Sequence, residues 1–429
     1  MGNSNSQRTQ EELIQMAQLY FPGGSTGNNT PPHLLINQGS GSKVWDADGN
    51  EYIDYLMGSG PMILGHAHPE VTEVVQEQVA KGTTFFANNE HAILLAEAIV
   101  KSVPCAENVR FTSSGSEATL YAMRAARSYT RKNKILKFEG GFHGMNDYSL
   151  MSMMPKEPIP FPQALPDSSG IPNSVRNEML IAPFNDINLT TEIINENISD
   201  IAGVIVEPLQ RLIPPEKGFL EGLRKITSSY GIPLIFDEIV TGYRLAYGGA
   251  QEYYGVTPDL CTLGKIIAGG YPLAMIAGKK QFLDHFDPQN SKGPDYLPQI
   301  GTLNGNPIAA VAGLKTLEIL RRPESYKQIF KVGNILIDSL NQLFKQSDIP
   351  AQIIGEPPVF DIFFTSNKIT DYRSSQHANK ELLMRFNELL LQKRIFRGDT
   401  KFYTSLAHTD EDISKTIDAF AFAIKNLRG

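Results

Sequence analysis

An α/β fold with a mostly parallel sheet is the arrangement that this sequence predicts. From residue 68 to residue 313, short apolar runs of strand type alternate with helical patterns, as is typical of a parallel sheet covered by helices on both faces. The chain has 429 residues, enough for a large core and a smaller domain beside it. After Arg321 the composition changes to charged helices and short strands. We therefore predict a large α/β domain and a smaller α+β domain.

The smaller domain is expected to draw on both ends of the chain. Residues 1–67 are predicted to be an N-terminal segment that joins it, residues 68–320 the large domain, and residues 321–429 the C-terminal part of the small domain. Within the first segment, a short amphipathic helix is predicted over 10–19 and a hairpin over 42–56, with Asp48-Gly49 as its turn.

Charge and composition argue against several classes of function. The net charge of −7 disfavours a surface for nucleic acid or an anionic membrane, and no apolar run approaches membrane-spanning length. Cys105 and Cys261 form no spacing motif and favour a reducing compartment, and the polar N-terminus does not resemble a signal peptide, so we expect a cytoplasmic protein. No Cys/His cluster has metal-ligand spacing, and we interpret His66 and His68 as structural.

Asp237 and Lys265 are the most informative pair of charges. Asp237 ends an apolar run that starts at Leu234, as expected of a buried strand that carries one charge to its carboxyl end. Lys265 follows Gly264 after a second short apolar run. Pyridoxal phosphate (PLP) chemistry needs such a pair, because a lysine binds the aldehyde as a Schiff base and a carboxylate keeps the pyridine nitrogen protonated. Many buried strands end in Asp and most lysines are solvated, so the pair alone is weak.

Two segments fit a phosphorylated cofactor, although each has a simpler interpretation. Ser114, Gly115 and Ser116 open a run of strong helix formers, which is typical of a helix N-terminus that binds phosphate, or merely of a capped helix. Thr302 lies in the loop 301–307, before a helix of small residues, where its hydroxyl could donate to a phosphate or belong to a helix start.

A third segment, the glycine-rich loop Gly140–Gly144, contains Phe142 and His143. An aromatic ring in a flexible loop can stack on a cofactor ring, and it can equally be part of the core. The sequence around it leaves both possibilities open.

Taken in order, these segments resemble the class III aminotransferases of fold type I, and within them most closely the glutamate-1-semialdehyde 2,1-aminomutases. The resemblance runs from about Phe21 to the C-terminus, and the further segments that carry it are Val44–Tyr55, Leu64–Pro69, Gly203–Pro208, Tyr254–Asp259 and Ser405–Thr409. It implies a fold type I transferase, PLP as the cofactor, and a homodimer with the active site at the interface.

The resemblance also implies roles for individual residues. Lys265 would hold the cofactor and then move a proton at the substrate carbon, while Asp237 would stay ionised beside the pyridine nitrogen. The other residues expected to bind the phosphate, the two ring faces and the polar groups beside the ring are Ser114, Gly115, Ser116, Phe142, His143, Glu207, Ile239 and, from the partner subunit, Thr302.

Three departures from the aminomutase pattern bear on the reaction. The segment 25–32 lacks the expected arginine, Ser59 stands where tryptophan is expected, and the stretch 397–404 lacks the expected glutamate. An aminomutase must retain its diamine intermediate, and these losses make retention harder. We therefore predict an aminotransferase, with an aminomutase that forms 5-aminolevulinate as the alternative and a non-catalytic PLP-binding scaffold as a further one.

The substrate follows from the same departures. Ser59 and the missing arginine both widen the pocket, which favours a bulkier amino donor such as a β-amino acid or another non-standard amine, with a keto acid or aldehyde as acceptor. Arg397, and after it Lys401, are the candidates for holding a substrate carboxylate, since arginine binds carboxylates in a bidentate manner. The simpler interpretation of both is a solvated charge near the end of the chain.

Overall fold

The computed structural model describes residues 8–27, 34–399 and 401–427. Its α-helices are α1 (Gln10–Tyr20), α2 (Pro69–Val79), α3 (Glu90–Ser102), α4 (Gly115–Thr130), α5 (Asn173–Arg176), α6 (Ile187–Glu196), α7 (Phe219–Tyr230), α8 (Gly249–Tyr254), α9 (Lys280–Leu283), α10 (Pro307–Leu320), α11 (Ser325–Lys345), α12 (Tyr372–Ser375), α13 (Lys380–Gln392) and α14 (Asp410–Lys425). Short 3₁₀ turns cover Pro22–Gly24, Met57–Ser59, Lys265–Ala268, Asp284–Phe286 and Gly293–Asp295.

The strands of the described residues form three sheets. They are β1 (Ile36–Ser40), β2 (Lys43–Asp46), β3 (Glu51–Asp54), β4 (Asn108–Thr112), β5 (Lys134–Phe138), β6 (Met179–Ala182), β7 (Ile201–Val206), β8 (Leu234–Asp237), β9 (Leu260–Leu263), β10 (Ala274–Gly278), β11 (Gln352–Glu356), β12 (Val359–Phe363), β13 (Ile395–Phe396) and β14 (Phe402–Tyr403).

The largest sheet has seven strands in the order β4-β10-β9-β8-β7-β5-β6. The five strands from β9 to β6 are parallel, whereas β10 runs antiparallel to both of its neighbours. This confirms the predicted α/β fold with a mostly parallel sheet. Parallel strands carry functional side chains at their carboxyl ends, so the sheet places Asp237 and the residues that follow β9 at one edge.

Both faces of this sheet are buried, which explains why its strands are apolar throughout. In β7, Val204 and Val206 belong to one hydrophobic core and Ile205 belongs to another, because successive side chains of a strand point to opposite faces. In β8, Phe236 and Ile235 are divided in the same way. In strands buried on both faces, polar and apolar residues do not alternate along the chain. Their continuous apolar runs are the feature that indicates buried strands.

The two ends of the chain share a smaller core. Strand β13 pairs in parallel with β3, with Ile395 opposite Ile53, and Ile53 and Tyr55 pack in one cluster with Leu336 and Phe420. A second small sheet, β11-β12-β14, packs in the same region. These contacts support the predicted small domain from both termini, while the boundaries at 67/68 and 320/321 stay a prediction.

The local elements predicted near the N-terminus are present. Helix α1 covers the predicted 10–19 helix, and β2 and β3 form the antiparallel hairpin expected over 42–56. Two sequence features lie partly outside the described residues: the arginine-free segment 25–32, of which 28–32 is not described, and the stretch 397–404, of which Thr400 is not described. No helix among the described residues is long and apolar enough to cross a membrane.

Candidate active site

Asp237 lies at the carboxyl end of β8, buried, with both carboxylate oxygens engaged. One oxygen accepts a hydrogen bond from the hydroxyl of Thr262 at 2.9 Å, and Thr262 is its register partner on β9. The other oxygen is 2.8 Å from Nδ1 of His143. Because a carboxylate can only accept, this contact places the proton on Nδ1 of His143. Asp237 is thus held rigidly between a strand neighbour and a loop.

His143 is 1 % exposed, and its second ring nitrogen, Nε2, has no hydrogen-bond partner among the described residues. A buried polar atom without a partner is unusual and calls for a ligand, a water or strain as its explanation. The sequence placed His143 and Asp237 in one site, and the structure brings them into direct contact. The hydrogen bond itself was not predicted, since the two residues are far apart in the sequence and only the fold joins them.

Lys265 begins the 3₁₀ turn Lys265–Ala268 directly after β9, and its backbone has φ = 51°. A left-handed backbone at a non-glycine residue is costly and is concentrated at functional sites. Burial lowers the pKa of Lys265; the cations Lys401 and Arg244 lower it further, whereas Tyr403 and Asp237 act in the opposite direction. The fold therefore supplies a lysine whose amine is more easily neutral than one in water.

The predicted phosphate segment is the start of helix α4. The Oγ of Ser114 accepts from the backbone N–H of Glu117 at 3.2 Å, and the carboxylate of Glu117 accepts from the N–H of Ser114 at 3.0 Å. Ser114 is therefore the cap of α4, the simpler interpretation that the sequence left open. The N–H groups of Gly115 and Ser116, at the first two helical positions, have no partner within the helix, so this helix start is able to bind an anion.

The glycine loop is packed against this helix start. Met145 donates its N–H to Oγ of Ser116 at 3.0 Å, and Gly144 has φ = +92°. A Cβ at Gly144 would lie 2.6 Å from the Cα of Ser116, so only glycine allows the loop to approach the helix this closely. The contact joins the loop that carries His143 to the segment expected to bind phosphate.

Phe142 and Glu207 form a second link in the same loop. The N–H of Phe142 donates to the carboxylate of buried Glu207 at 2.9 Å. The ring of Phe142 is 38 % exposed, so it is not the core residue that the sequence allowed as one interpretation. The guanidinium of Arg211 lies over this ring at 5.4 Å, a cation–π contact that the sequence did not suggest.

Ile239 joins the two halves of the predicted cofactor site. Its N–H donates to Asp237 at 3.2 Å, and its side chain lies against Gly115 and Gly264. A Cβ at Gly264 would lie 2.9 Å from Cδ1 of Ile239. The side chain thus lies between the start of α4 and the residue preceding Lys265.

Thr302 is exposed, and no described residue of its own chain bonds its hydroxyl. Its loop is fixed on both sides: the hydroxyl of Ser113 donates to Asn304 at 3.2 Å, and the side chain of Asn89 donates to the carbonyl of Gly305 at 2.8 Å. The expected contact of Thr302 with the phosphate of a partner subunit stays a prediction.

The three tentative substrate residues have very different surroundings. Arg397 is buried, and its Nη2 donates to Asp361 at 2.6 Å, so part of the guanidinium that was expected to face a substrate is already paired. Its Nη1 has no partner among the described residues. Lys401 is 8 % exposed and accordingly is not a solvated surface charge. Ser59 is exposed and has φ = 66°.

Lys401 faces a concentration of charge beside Lys265. Burial lowers the pKa of Lys401 to about 7; the cations Arg211 and Arg244 add to this effect, and the carboxylates Glu207 and Asp361 oppose it. No described side chain or carbonyl accepts a hydrogen bond from its amine. The position was only the second choice from the sequence, because burial cannot be read from an isolated lysine near the end of a chain.

Arg244 is a residue that the sequence did not single out. It is fully buried; its Nε donates to the carbonyl of Val240 at 2.8 Å, its Nη2 donates to the carbonyl of Gly60, and its guanidinium lies 4.8 Å from the ring of Tyr403. Nη1 has no acceptor in the described part of the chain, and burial lowers the pKa of Arg244 to about 10. No sequence signal marks this arginine, because two of its neighbours, Gly60 and Tyr403, come from distant segments.

Metal ligands are not part of this arrangement. Across residues 8–27, 34–399 and 401–427, no group of three or more His, Cys, Asp or Glu side chains is placed to hold a metal ion. Cys105 and Cys261 are both buried and free of disulfide bonds.

Comparisons with known proteins agree with this geometry. The family model described as "Aminotransferase class-III" matches residues 25–424. A glutamate-1-semialdehyde 2,1-aminomutase of Methanococcus maripaludis is 38 % identical over 429 residues, covering 97 % of this chain and 98 % of the relative. An omega-transaminase from Sphaerobacter thermophilus superposes with a TM-score of 0.93 at 35 % identity over 100 % of both chains. A beta-phenylalanine aminotransferase from Variovorax paradoxus superposes with a TM-score of 0.84 at 28 % identity, over 96 % of this chain and 92 % of that one.

Proposed function

The chain belongs to the class III aminotransferases, and we propose that within this family it moves an amino group from a carboxylate-bearing, non-standard donor, such as a β-amino acid, to a keto acid or aldehyde. Enzymes of this family act with PLP, which is the cofactor of this chain. The observation that carries the proposal is the excess of buried positive charge beside Lys265, where Lys401 and Arg244 have fewer acceptors than donors.

The residues present fit the cofactor. Nε2 of His143 is buried without a partner, and the N–H groups of Gly115 and Ser116 are open at the start of α4, so the site offers hydrogen bonds that nothing in the chain takes up. Asp237 would keep a ring nitrogen of the cofactor protonated, and His143 would hold Asp237 in position through the bond to its carboxylate. When bound, PLP supplies a ring that draws electrons from the substrate carbon.

Lys265 is the proton carrier in this proposal. Its lowered pKa leaves a larger neutral fraction than a solvated lysine has, so its Nζ can accept a proton from the substrate carbon and return it to a neighbouring atom. The buried cations around it stabilise the neutral amine, and the left-handed turn fixes the direction in which the side chain leaves β9. Mutation of the lysine should accordingly abolish the reaction, whichever substrate is used.

Charge also favours a transaminase over an aminomutase. A diamine carries one amino group more than a transaminase intermediate does, and positive charge from Lys401 and Arg244 disfavours its retention. Ser59 is exposed and small, which leaves room where a larger side chain would cover the site. Both features support release of a keto product after the first half-reaction.

The aminomutase is the second candidate, because relatives with that name are 38 % identical to this chain over nearly their whole length. The omega-transaminase superposes over the complete chain at 35 % identity, so identity alone does not separate the two activities. The substrate must decide between them.

We also propose a homodimer with Thr302 contributed by the partner. Exposed apolar side chains gather near the loop that carries it: Ile300 is 77 % exposed and Ile93 of α3 60 %, and the Asn89–Gly305 bond joins α3 to this loop. Ile300→Asp should lower the dimer fraction in sedimentation velocity, whereas Met384→Asp, at a 59 % exposed site on α13, should not. Equal dimer fractions in the two variants would show that this surface is not part of the interface. A cytoplasmic location stays a proposal.

The deciding experiment is an absorption titration of the purified holoenzyme with single amino compounds: β-amino acids, L-glutamate, glutamate 1-semialdehyde and 4,5-diaminovalerate. A β-amino acid that shifts the cofactor band and releases a keto product supports the proposal. Response only to the semialdehyde and the diamine, with 5-aminolevulinate formed without an external donor, would establish the aminomutase instead. A band that no compound changes would revive the scaffold hypothesis.

A further inference from the structure

Arg211 lies at the tip of a tight turn with an uncommon backbone. Gln210 and Ile213 exchange backbone hydrogen bonds of 3.0 and 2.8 Å across it, and the two central residues, Arg211 and Leu212, have φ = 49° and 83°. Turns with two positive φ values normally use Asn and Gly, because other side chains make this backbone costly. Costly backbone conformations of this kind are concentrated at functional sites, which makes Arg211 a candidate functional residue.

The turn is fixed and aims Arg211 at the site. The side-chain amide of Gln210 donates to the carbonyl of Glu139 at 2.9 Å, which ties the turn to the end of β5. From this base the guanidinium lies over the partly exposed ring of Phe142. Arg211 is partly buried, and within the described part of the chain no carboxylate or carbonyl accepts a hydrogen bond from its five donors.

Lys401 completes an unbalanced group of charges. It is 8 % exposed, has φ = 94°, and is acted on electrostatically by Arg211. The cations Arg211 and Arg244 and the carboxylates Glu207 and Asp361 act on its amine, and Asp361 is already paired with Arg397. Buried positive charge without a partner is unfavourable, and an anion relieves it.

We propose that Arg211 and Lys401 together bind the carboxylate of the substrate. They would replace the carboxylate-binding arginine that is absent from segment 25–32. This rests on the proposed function only in that the site binds an amino compound. Such a site would select amino acids and keto acids over uncharged amines. Part of the substrate specificity would then depend on the turn at Arg211, in the large domain.

The test measures binding without turnover. Butyrate and the uncharged butyramide are titrated into the holoenzyme by calorimetry, for the natural chain, Arg211→Asn, Lys401→Met and the control Lys217→Gln. Lys217 is exposed, lies on the same connection, and makes no hydrogen bond to a described residue. Loss of a charged hydrogen bond should weaken butyrate binding about 10- to 100-fold in Arg211→Asn and in Lys401→Met. The affinity for butyrate should be unchanged in Lys217→Gln, and the affinity for butyramide should be the same in all variants.

Asparagine separates a binding role from a structural one. It tolerates positive φ better than arginine, so Arg211→Asn should melt at the same or a higher temperature while it binds butyrate more weakly. Butyrate affinity within twofold of the natural chain, or a melting temperature that falls together with the affinity, would overturn the proposal.

Failure of the proposed function would appear separately. If the proposed function is wrong, amino compounds will not change the cofactor band of the natural chain. If only this inference is wrong, the band will still change in Arg211→Asn, and the KM of that variant for amino acids will be unaltered. A raised KM with a nearly constant kcat is the result expected in this variant.

Discussion

The two sides of this active site differ in how their charges are satisfied. On the sheet side, Asp237 is paired with His143 and Thr262, and the helix start is capped by Ser114. On the side formed by the turn at Arg211 and the C-terminal stretch, Lys401 has no hydrogen-bond partner among the described residues, and Arg244 and Arg397 each retain a buried nitrogen without one. We infer that the first side, where Nε2 of His143 is still without a partner, serves one fixed cofactor. The second side would then leave its positive charge for a ligand that binds and dissociates.

This difference teaches where specificity can change in such a fold. Residues of the sheet side contact one another, so a substitution there disturbs several bonds at once. On the other side, Arg244 and Arg397 are bonded to the chain, whereas the guanidinium of Arg211 and the amine of Lys401 make no hydrogen bond with a described residue. We therefore expect Arg211 and Lys401 to be the cations that can be replaced with the least loss of stability. Five measurements can break or sharpen this comparison.

Lys265→Ala should have the largest effect. It removes the amine that we propose holds the cofactor and moves the proton, so transamination should fall by about 10⁴-fold or more. The measurement is single-turnover formation of the keto product, with Lys217→Ala as the control. Residual activity within about tenfold of the natural enzyme would show that another group moves the proton.

Asp237→Asn should come next. It removes a buried charge and leaves His143 with a poorer partner. We expect the free energy of unfolding to fall by about 3–5 kcal/mol and kcat/KM to fall by about 10²- to 10³-fold. Thr262→Val, which removes only the 2.9 Å hydrogen bond to Asp237, should cost about 1 kcal/mol. Cofactor absorbance and steady-state kinetics measure both. Similar losses in the two variants would mean that the charge of Asp237 is not what matters.

Gly144→Ala tests how closely the loop must approach helix α4. The new Cβ would lie 2.6 Å from the Cα of Ser116 at a residue with φ = +92°, and we expect a loss of about 2–4 kcal/mol in the free energy of unfolding and weaker cofactor binding. Gly170→Ala is the matched control, because Gly170 has φ = +85° and nothing within 4 Å of its added Cβ. It should cost only about 1–2 kcal/mol. Equal costs would show that the contact with Ser116 relaxes freely.

The pH dependence of carboxylate binding should show the smallest effect. Lys401, with a pKa of about 7 beside Arg211, Arg244, Glu207 and Asp361, loses its charge as the pH rises through that value. Butyrate affinity should therefore fall about tenfold from about pH 6 to about pH 8. In Lys401→Met it should be low and flat. If butyrate affinity does not change with pH in the natural enzyme, Lys401 does not bind the carboxylate.

The same group sets the sign of a stability change. Its pKa is lower in the folded chain than the ordinary value of 10.5, so the unfolded chain binds more protons between about 7 and 10.5. Lys401 thus destabilises the unliganded enzyme at low pH, and this cost disappears as the pH rises through that window. Denaturant unfolding at several pH values should show this slope in the natural chain and a smaller one in Lys401→Met.

The sequence by itself determined the parallel sheet and the sheet side of the site. Apolar runs that end in Asp237 and precede Lys265, a capped helix start at Gly115 and a glycine loop at Phe142 are local patterns, and strand order then places their ends at one edge. Such features depend on residues close in the sequence, and the motif resemblance strengthens them. The family and the cofactor followed from the resemblance that these motifs carry when taken in order, and the comparisons confirmed both.

Only the tertiary structure decided which charges are free. Arg397 was the first candidate for a substrate carboxylate, yet it is paired with Asp361, while Arg211 and Arg244 were not singled out. The exposed Ser59 and the buried Lys401 could not be told apart by pattern either. Burial and partner atoms depend on segments hundreds of residues apart, such as Gly60 against Arg244, and a cation near the end of a chain looks the same in sequence whether it is solvated or buried.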